Sequence, residues 1–256
     1  MNKQWHVFKA LCARDFMVLR ATIRSEIIDA LILVVLQFIN YVYFLPLLGM
    51  NKTLVAPLLA ASIASFFINS AFDRGINDSA DIAFAQFIKY RMTLPLTLTT
   101  LFIQKMSMHI VSLALVSLPS VFILLFYVRD SLTVLGLLAF WGIYFCALLW
   151  VASLIIAIAY GTRFFWFIDN IWTRVLMPIL FFGCQYFSWK AAYAVSPLIG
   201  VLYALSPVTY INEGIRSALL QSDQFLPVSI CALVLITISI STILLARTIF
   251  IRRLYA

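Results

Sequence analysis

Charge is scarce in this chain. Asp, Glu, Lys and Arg make up 11% of its 256 residues, whereas a soluble domain is about a quarter charged. Hydrophobic residues make up 64%, which excludes an ordinary soluble globular domain. The apolar residues fall in long unbroken runs and do not alternate with period two, which excludes barrel strands and leaves membrane-spanning helices. Cysteine is sparse as well. Cys12, Cys146, Cys184 and Cys231 stand singly with no C-x-x-C spacing, so neither a zinc site nor a disulfide framework is encoded, and isolated cysteines in apolar helices behave as small hydrophobes. The two histidines, His6 and His109, are far apart and have no clustered carboxylates beside them. There is no G-x-x-x-x-G-K-[ST], no G-x-S-x-G and no H-E-x-x-H, so the known signatures of nucleotide hydrolysis, acyl transfer and zinc hydrolysis are missing. Internal repeats and low-complexity linkers are also missing, and the chain reads as one membrane domain. Its net charge of +8 suggests nucleic acid at first sight, but the placement of the basic residues described below accounts for it.

What is present is organised around Asp73 to Lys105, a polar interruption between an uncharged run over 53–72 and another over 106–128. The charges between Asp73 and Asp81 are too many to lie in hydrocarbon, so this segment is expected to be wet. Asn77, Asp78 or Ser79 can cap a short helix over about Ser79–Lys89, and Pro95 stops it or restarts the next. The stretch is long for a plain connection, and it reads as a helix laid across the membrane face for a partner.

Ahead of it, Trp5, Phe8, Cys12, Phe16, Leu19 and Ile23 recur at spacings of three and four and form one helical stripe. Lys3 and Arg14 fall opposite, and Lys9 and Arg20 flank the stripe. Residues 1–26 are therefore expected to be an amphipathic helix in the headgroup layer. They lack the short apolar core and small-residue cleavage site of a secretory signal, and are expected to remain on the mature protein. Spans follow at 27–48, 54–72, 106–128 and 132–160, with the cytoplasmic loop at 73–105.

After Arg174 the run count is ambiguous: hydropathy alone gives seven spans. Pro197, Gly200 and Pro207 divide the uncharged run over 191–212 into short pieces characteristic of a re-entrant or interfacial hairpin. Six spans, the last two at 171–187 and 225–246, leave Lys52, Arg129, Lys190 and Arg216 outside and the other 14 of the 18 Lys and Arg inside, the bias the insertion rule expects. The fold expected is therefore an all-α integral membrane protein of six spans. It has an N-terminal interfacial helix, an external hairpin over 191–220 and both termini cytoplasmic.

The most specific string is Ser206-Pro-Val-Thr-Tyr-Ile-Asn-Glu-Gly-Ile-Arg216. Pro207 suits a helix start, and Glu213 and Arg216 lie one turn apart. Here the chain resembles the membrane subunit of type-2 ABC exporters. That family carries Pro-[LV]-[TS]-Tyr followed by Glu and Arg in its last external segment; the matching positions are Pro207, Val208, Thr209, Tyr210, Glu213 and Arg216. The resemblance extends to the amphipathic N-terminal helix, the six spans, the loop ending in Leu94-Pro95-Leu96 and the broken hairpin. In the loop, Asp73-Arg74-Gly75 stands where the family often has Glu-x-x-x-Gly-Thr.

The resemblance implies a permease in the cytoplasmic (inner) membrane. It would pair with a second copy or a related permease and carry a separate ABC ATPase, which would bind the ATP and Mg; no cofactor is expected on this chain. Asp73, Arg74, Asp81, Phe84, Phe87 and Lys89 would couple to that ATPase. Pro207, Thr209, Tyr210, Glu213 and Arg216 would shape the external hairpin, with Glu213 and Arg216 holding it together. No catalytic or metal site and no nucleic-acid partner is expected; the partners are the ATPase, the second permease and membrane lipid. The family's cargoes include polysaccharides, lipid-linked glycans and hydrophobic small molecules. The rival functions are a non-transporting scaffold or assembly protein and an ion-coupled secondary carrier.

Overall fold

The computed structural model describes residues 2–85 and 87–255, and among these no strand occurs. Helix α1 (Asn2–Ile39) passes through a π-helical segment (Asn40–Phe44) into Leu45–Leu47. The expected break between residues 26 and 27 is not there. No Pro or Gly precedes Pro46, so nothing in the backbone interrupts the helix. At 1.5 Å per residue this helix reaches roughly 70 Å, more than twice the ~30 Å hydrocarbon thickness, so a long part of it projects beyond the apolar layer.

Helix α2 (Val55–Ala80) also outruns expectation, carrying the chain two turns past residue 72. It continues as a π-helical segment (Asp81–Ala85), then α3 (Phe87–Met92). Helix α4 (Leu98–Tyr127) begins where the Thr97 hydroxyl accepts the Thr100 N–H at 3.2 Å, a cap worth about 1 kcal/mol. The expected wet loop over 73–105 is thus mostly helix, and the helix expected over 79–89 is split among α2, the π segment and α3. Arg74 and Asp78 lie within α2 with their charges taken up by partners on neighbouring helices.

Helix α5 (Val134–Gly161) is capped by Thr133 and forms the centre of the bundle. Phe140, Ala147, Val151, Ile155, Ile156 and Ala159 are all buried, at a spacing that covers more than one face of the helix. The chain then climbs through Phe164–Trp166, a π-helical segment (Phe167–Leu176) and α6 (Met177–Phe181). The span expected over 171–187 stops at Phe181, because Gly183 and a left-handed Cys184 (φ 51°) turn the backbone. Short helices α7 (Trp189–Val195), α8 (Pro197–Ala204) and α9 (Pro207–Leu220) follow, α8 and α9 each starting on a proline, as its missing N–H allows. Helix α10 (Val228–Tyr255) closes the chain. Among the described residues five helices are long and apolar enough to cross a membrane, or six if α8 and α9, bent by 95°, count as one. The protein is a multi-pass, all-helical membrane protein.

Pair contacts fix the directions. Helices α1 and α4 run together, Gln104 donating to Asp15 at 2.6 Å near one end and Phe38 meeting Tyr127 near the other. Helix α2 opposes them. Helices α5 and α10 run with α2: Ser153 bonds Thr242 at 2.8 Å and the Tyr160 ring lies tilted against Phe250 at 4.7 Å. Arg247 reaches the Thr99 hydroxyl at 3.2 Å. The start of α1 and the end of α10 therefore lie at the same end of the bundle, together with the α2–α4 connection.

Candidate functional site

A cleft of about 550 Å³ opens at that end between α1, α2, α3 and α4. Helix α1 contributes Arg14, Val18, Thr22 and Glu26, one per turn; α2 contributes Arg74, Asn77 and Asp78; α4 contributes Lys105, His109 and Ser112. Helical spacing of three and four puts each set on a single face. The charges are paired across the helices. Lys105 Nζ lies 2.6 Å from Asp78 Oδ1, and His109 Nε2 lies 2.9 Å from Asp78 Oδ2. Arg91 lies 3.0 Å from Asp15 and donates to the Gln104 side-chain amide oxygen Oε1 at 3.1 Å. Arg14 joins the same carboxylate at 2.7 Å, and Arg74 pairs with Glu26. These bonds weld α1, α2, α3 and α4 into one unit at their charged end. Two donors in the cleft wall are left over: Arg91 Nε and the Ser112 hydroxyl are buried without a partner among the described residues.

The residues expected to couple to a partner fall around this cleft but in different surroundings. Arg74 is tied to Glu26, and Asp81 accepts the Phe87 N–H at 2.9 Å, closing the turn between the π segment and α3. Asp73 is exposed one residue before Arg74. Phe84 and Phe87 are 61% and 58% exposed, with Phe84 set edge-on against Phe164 at 4.8 Å. The side chain of Lys89 lies outside the described residues.

The hairpin motif forms a second, closed cluster at the opposite end. Glu213 and Arg216 are fully buried. The Arg216 guanidinium donates to the carbonyls of Pro57 (3.0 Å), Cys184 (2.7 Å) and Phe187 (2.9 Å), to that of Gln185, and to Glu213 at 3.3 Å. The other Glu213 oxygen accepts the Leu226 N–H at 3.0 Å. Thr209 donates to Tyr203 O at 2.6 Å and Tyr210 to Ala204 O at 2.8 Å, while Pro207 opens α9. Arg216 thereby satisfies the carbonyls of a segment that has no helix of its own. With both charges sealed and paired, this cluster holds backbone in place.

Sequence reasoning passed over Asp15, Glu26, Gln104, Lys105 and His109. One signal was available: Lys105 and His109 stand at i and i+4 on a strongly apolar helix, so they share a face that needs an anionic partner. In the sequence Asp78 reads as a candidate helix cap. Among the described residues no three His, Cys, Asp or Glu side chains converge as a metal site requires. Comparison with protein-family models, with curated proteins and with solved structures gives no match in any of the three.

Proposed function

We propose that this chain is the permease subunit of an ATP-driven exporter, a type-2 ABC permease that pairs with a second permease and receives its energy from a separate ATPase. The observation carrying this reading is the end of the bundle around 81–92. A π-helical turn and a short helix present two exposed phenylalanines on top of a welded, four-helix charged cluster, which is how a rigid lever meets a soluble partner. Phe84 and Phe87 would seat in the ATPase, and the pairs Asp78–Lys105, Arg91–Asp15 and Arg74–Glu26 would transmit its motion to α1, α2 and α4. Six crossings, both termini cytoplasmic in an inner membrane, and an external α7–α9 hairpin complete the reading. They agree with the clustering of both termini at one end and with the bias of basic residues toward that end. The cargo classes remain those the resemblance implies, polysaccharide or lipid-linked glycan and hydrophobic small molecules.

The test is affinity purification of the tagged chain in mild detergent. Wild type is expected to bring down an ATP-binding subunit in equal amount, and Phe84→Asp with Phe87→Asp to lose it while eluting as the same folded species. Unchanged recovery of the ATPase in that variant would remove the coupling assignment. A second reading, an ion-coupled carrier, is favoured by one observation: Asp78, His109 and Lys105 are ionisable groups gathered inside the bundle, where such groups mark ion paths. Transport that survives ATP depletion and stops on collapse of the proton gradient would select it.

A further inference from the structure

The acidic residues of this chain are not scattered. Of its ten Asp and Glu, six line two adjoining cavities along α1: Asp15, Glu26, Asp78 and Asp81 the cleft described above, and Asp29 and Asp73, again with Glu26, a second cavity of about 310 Å³. Glu26 and Arg74 line both, so the two form one groove with that ion pair at its waist. The basic residues of the groove are Arg14, Arg74, Arg91 and Lys105, two fewer than its carboxylates, in a chain whose net charge is +8. Among the described residues the groove carboxylates outside ion pairs are Asp81, which accepts the Phe87 N–H, together with Asp29 and Asp73. Both are exposed, and among the described residues neither is in an ion pair, whereas Asp15, Glu26 and Asp78 each are. The rest of the wall is mixed: Val18, Leu19 and Met108 in the first cavity and Leu33, Phe66 and Val116 in the second are apolar, while Thr22, Asn77, Asn69 and Ser70 are polar.

We infer that this groove binds an amphiphile carrying an ammonium group, held at Asp29 and Asp73, with its apolar body along α1 and α2. Charge alone would also admit a metal ion, but the absence of three converging ligands among the described residues favours a spread-out organic cation. An independent sign of a ligand is the buried, unpartnered Ser112 hydroxyl, 3% exposed. It belongs to the wall of the first cavity, one turn before Val116 in the wall of the second. Burying such a hydroxyl unpaired carries a cost, and an occupant would remove it. The depth suits an amphiphile as well. The uncharged run of α1 after Asp29 starts within the groove, so one end lies at headgroup level and the other in hydrocarbon. Leu33 is 49% exposed, which leaves the groove open toward lipid. The shared chemistry, an ammonium on an apolar body, has two sources, an aminophospholipid headgroup and a free amphiphilic amine. The inference stands whether or not the chain is an exporter.

The test uses the purified full chain in dodecyl maltoside micelles, which carry no charge, titrated with a dansylated decylammonium probe and with the dansylated decanoate of equal length. Saturable binding of the ammonium probe, absent for the carboxylate, is expected. Asp29→Asn with Asp73→Asn should weaken it roughly tenfold or more, and Asp130→Asn, far from the groove and exposed, should not. Equal binding of both probes, or unchanged affinity in the double variant with its elution profile preserved, would overturn the proposal. Displacement of the probe by added phosphatidylethanolamine assigns the site to a lipid headgroup; failure to displace, with saturable binding retained, assigns it to a free amine.

Discussion

A buried charge is tolerable only when its partners are complete, and Arg216 is the residue that shows what completeness requires here. Its guanidinium gives hydrogen bonds to four backbone carbonyls and one carboxylate. A lysine, with three donors on a point charge, cannot reproduce that fan. Arg216→Met leaves those carbonyls orphaned and Glu213 buried with no cation, a loss of about 3–5 kcal/mol. A large fall in the unfolding temperature by scanning fluorimetry is expected, with partial recovery when Glu213→Gln is added. No recovery would mean that the orphaned carbonyls, and not the stranded carboxylate, carry the loss. Asp78→Asn is expected to cost less, about 1–3 kcal/mol. Lys105 is 13% exposed at its side chain, and its long stem lets the ammonium reach toward water. If the two variants unfold at the same temperature, the cleft is as tightly sealed as the hairpin and this ranking fails.

Between elements, the contacts that matter are close backbone approaches, as membrane helices lack a hydrophobic drive to associate. A Cβ on Gly136 would stand 2.5 Å from the Ala218 carbonyl, which belongs to α9 and cannot swing aside as a side chain can. Gly136→Ala therefore has to part α5 from α9, at about 1–3 kcal/mol. Gly142, two turns further along the same helix, has nothing within 4 Å, so Gly142→Ala should be neutral or gain roughly 0.5–1 kcal/mol from helix propensity. Opposite shifts in unfolding temperature are the expected result; parallel shifts would contradict the α5–α9 contact. The same level shows what the sequence disclosed. Apolar runs located both ends of α5, the end of α4 and the start of α10 within a few residues, but α4 starts and α10 ends more than two turns beyond the expected limits, and Pro197 and Pro207 marked the starts of α8 and α9. The extents of α1 and α2 were not legible, because charge near 3–26 and 73–81 was taken as the end of a helix when it marks only where partners are needed. Asp15, Asp78 and Lys105 are far apart in sequence and meet only through packing, so no local pattern could have joined them. Arg216 was visible as half of an i, i+3 pair; the carbonyls it holds, 29 to 159 residues away in the chain, were not.

At the scale of the molecule, direction decides topology. Helices α5 and α10 run the same way, so the chain between Gly161 and Val228 makes a net traverse of the bundle. That traverse can be followed against α2: Phe164 meets Phe84, Trp172 meets Phe72 at 5.3 Å, Gln185 donates to Ser65 at 2.7 Å, and Arg216 reaches Pro57. From residue 84 back to 57 is about 40 Å of helix rise, enough to cross the hydrocarbon even though α6 ends early and the last part is irregular backbone. Irregular backbone at that depth is stable only when protein supplies its hydrogen bonds, which is what Arg216, Thr209 and Asn212 do for residues 182–187. Under the six-crossing reading proposed above, that traverse is one crossing and both termini lie on one side. Single cysteines placed at Lys9 and Arg252 in a background without the four native ones are therefore expected to react with an impermeant maleimide from the same face of sealed vesicles. Cysteines at Asp130 and Asp223 should react from the other. Labelling of residues 9 and 252 from opposite faces would mean five crossings, and the climb along α2 would then have to be a re-entrant excursion that returns to the side it left.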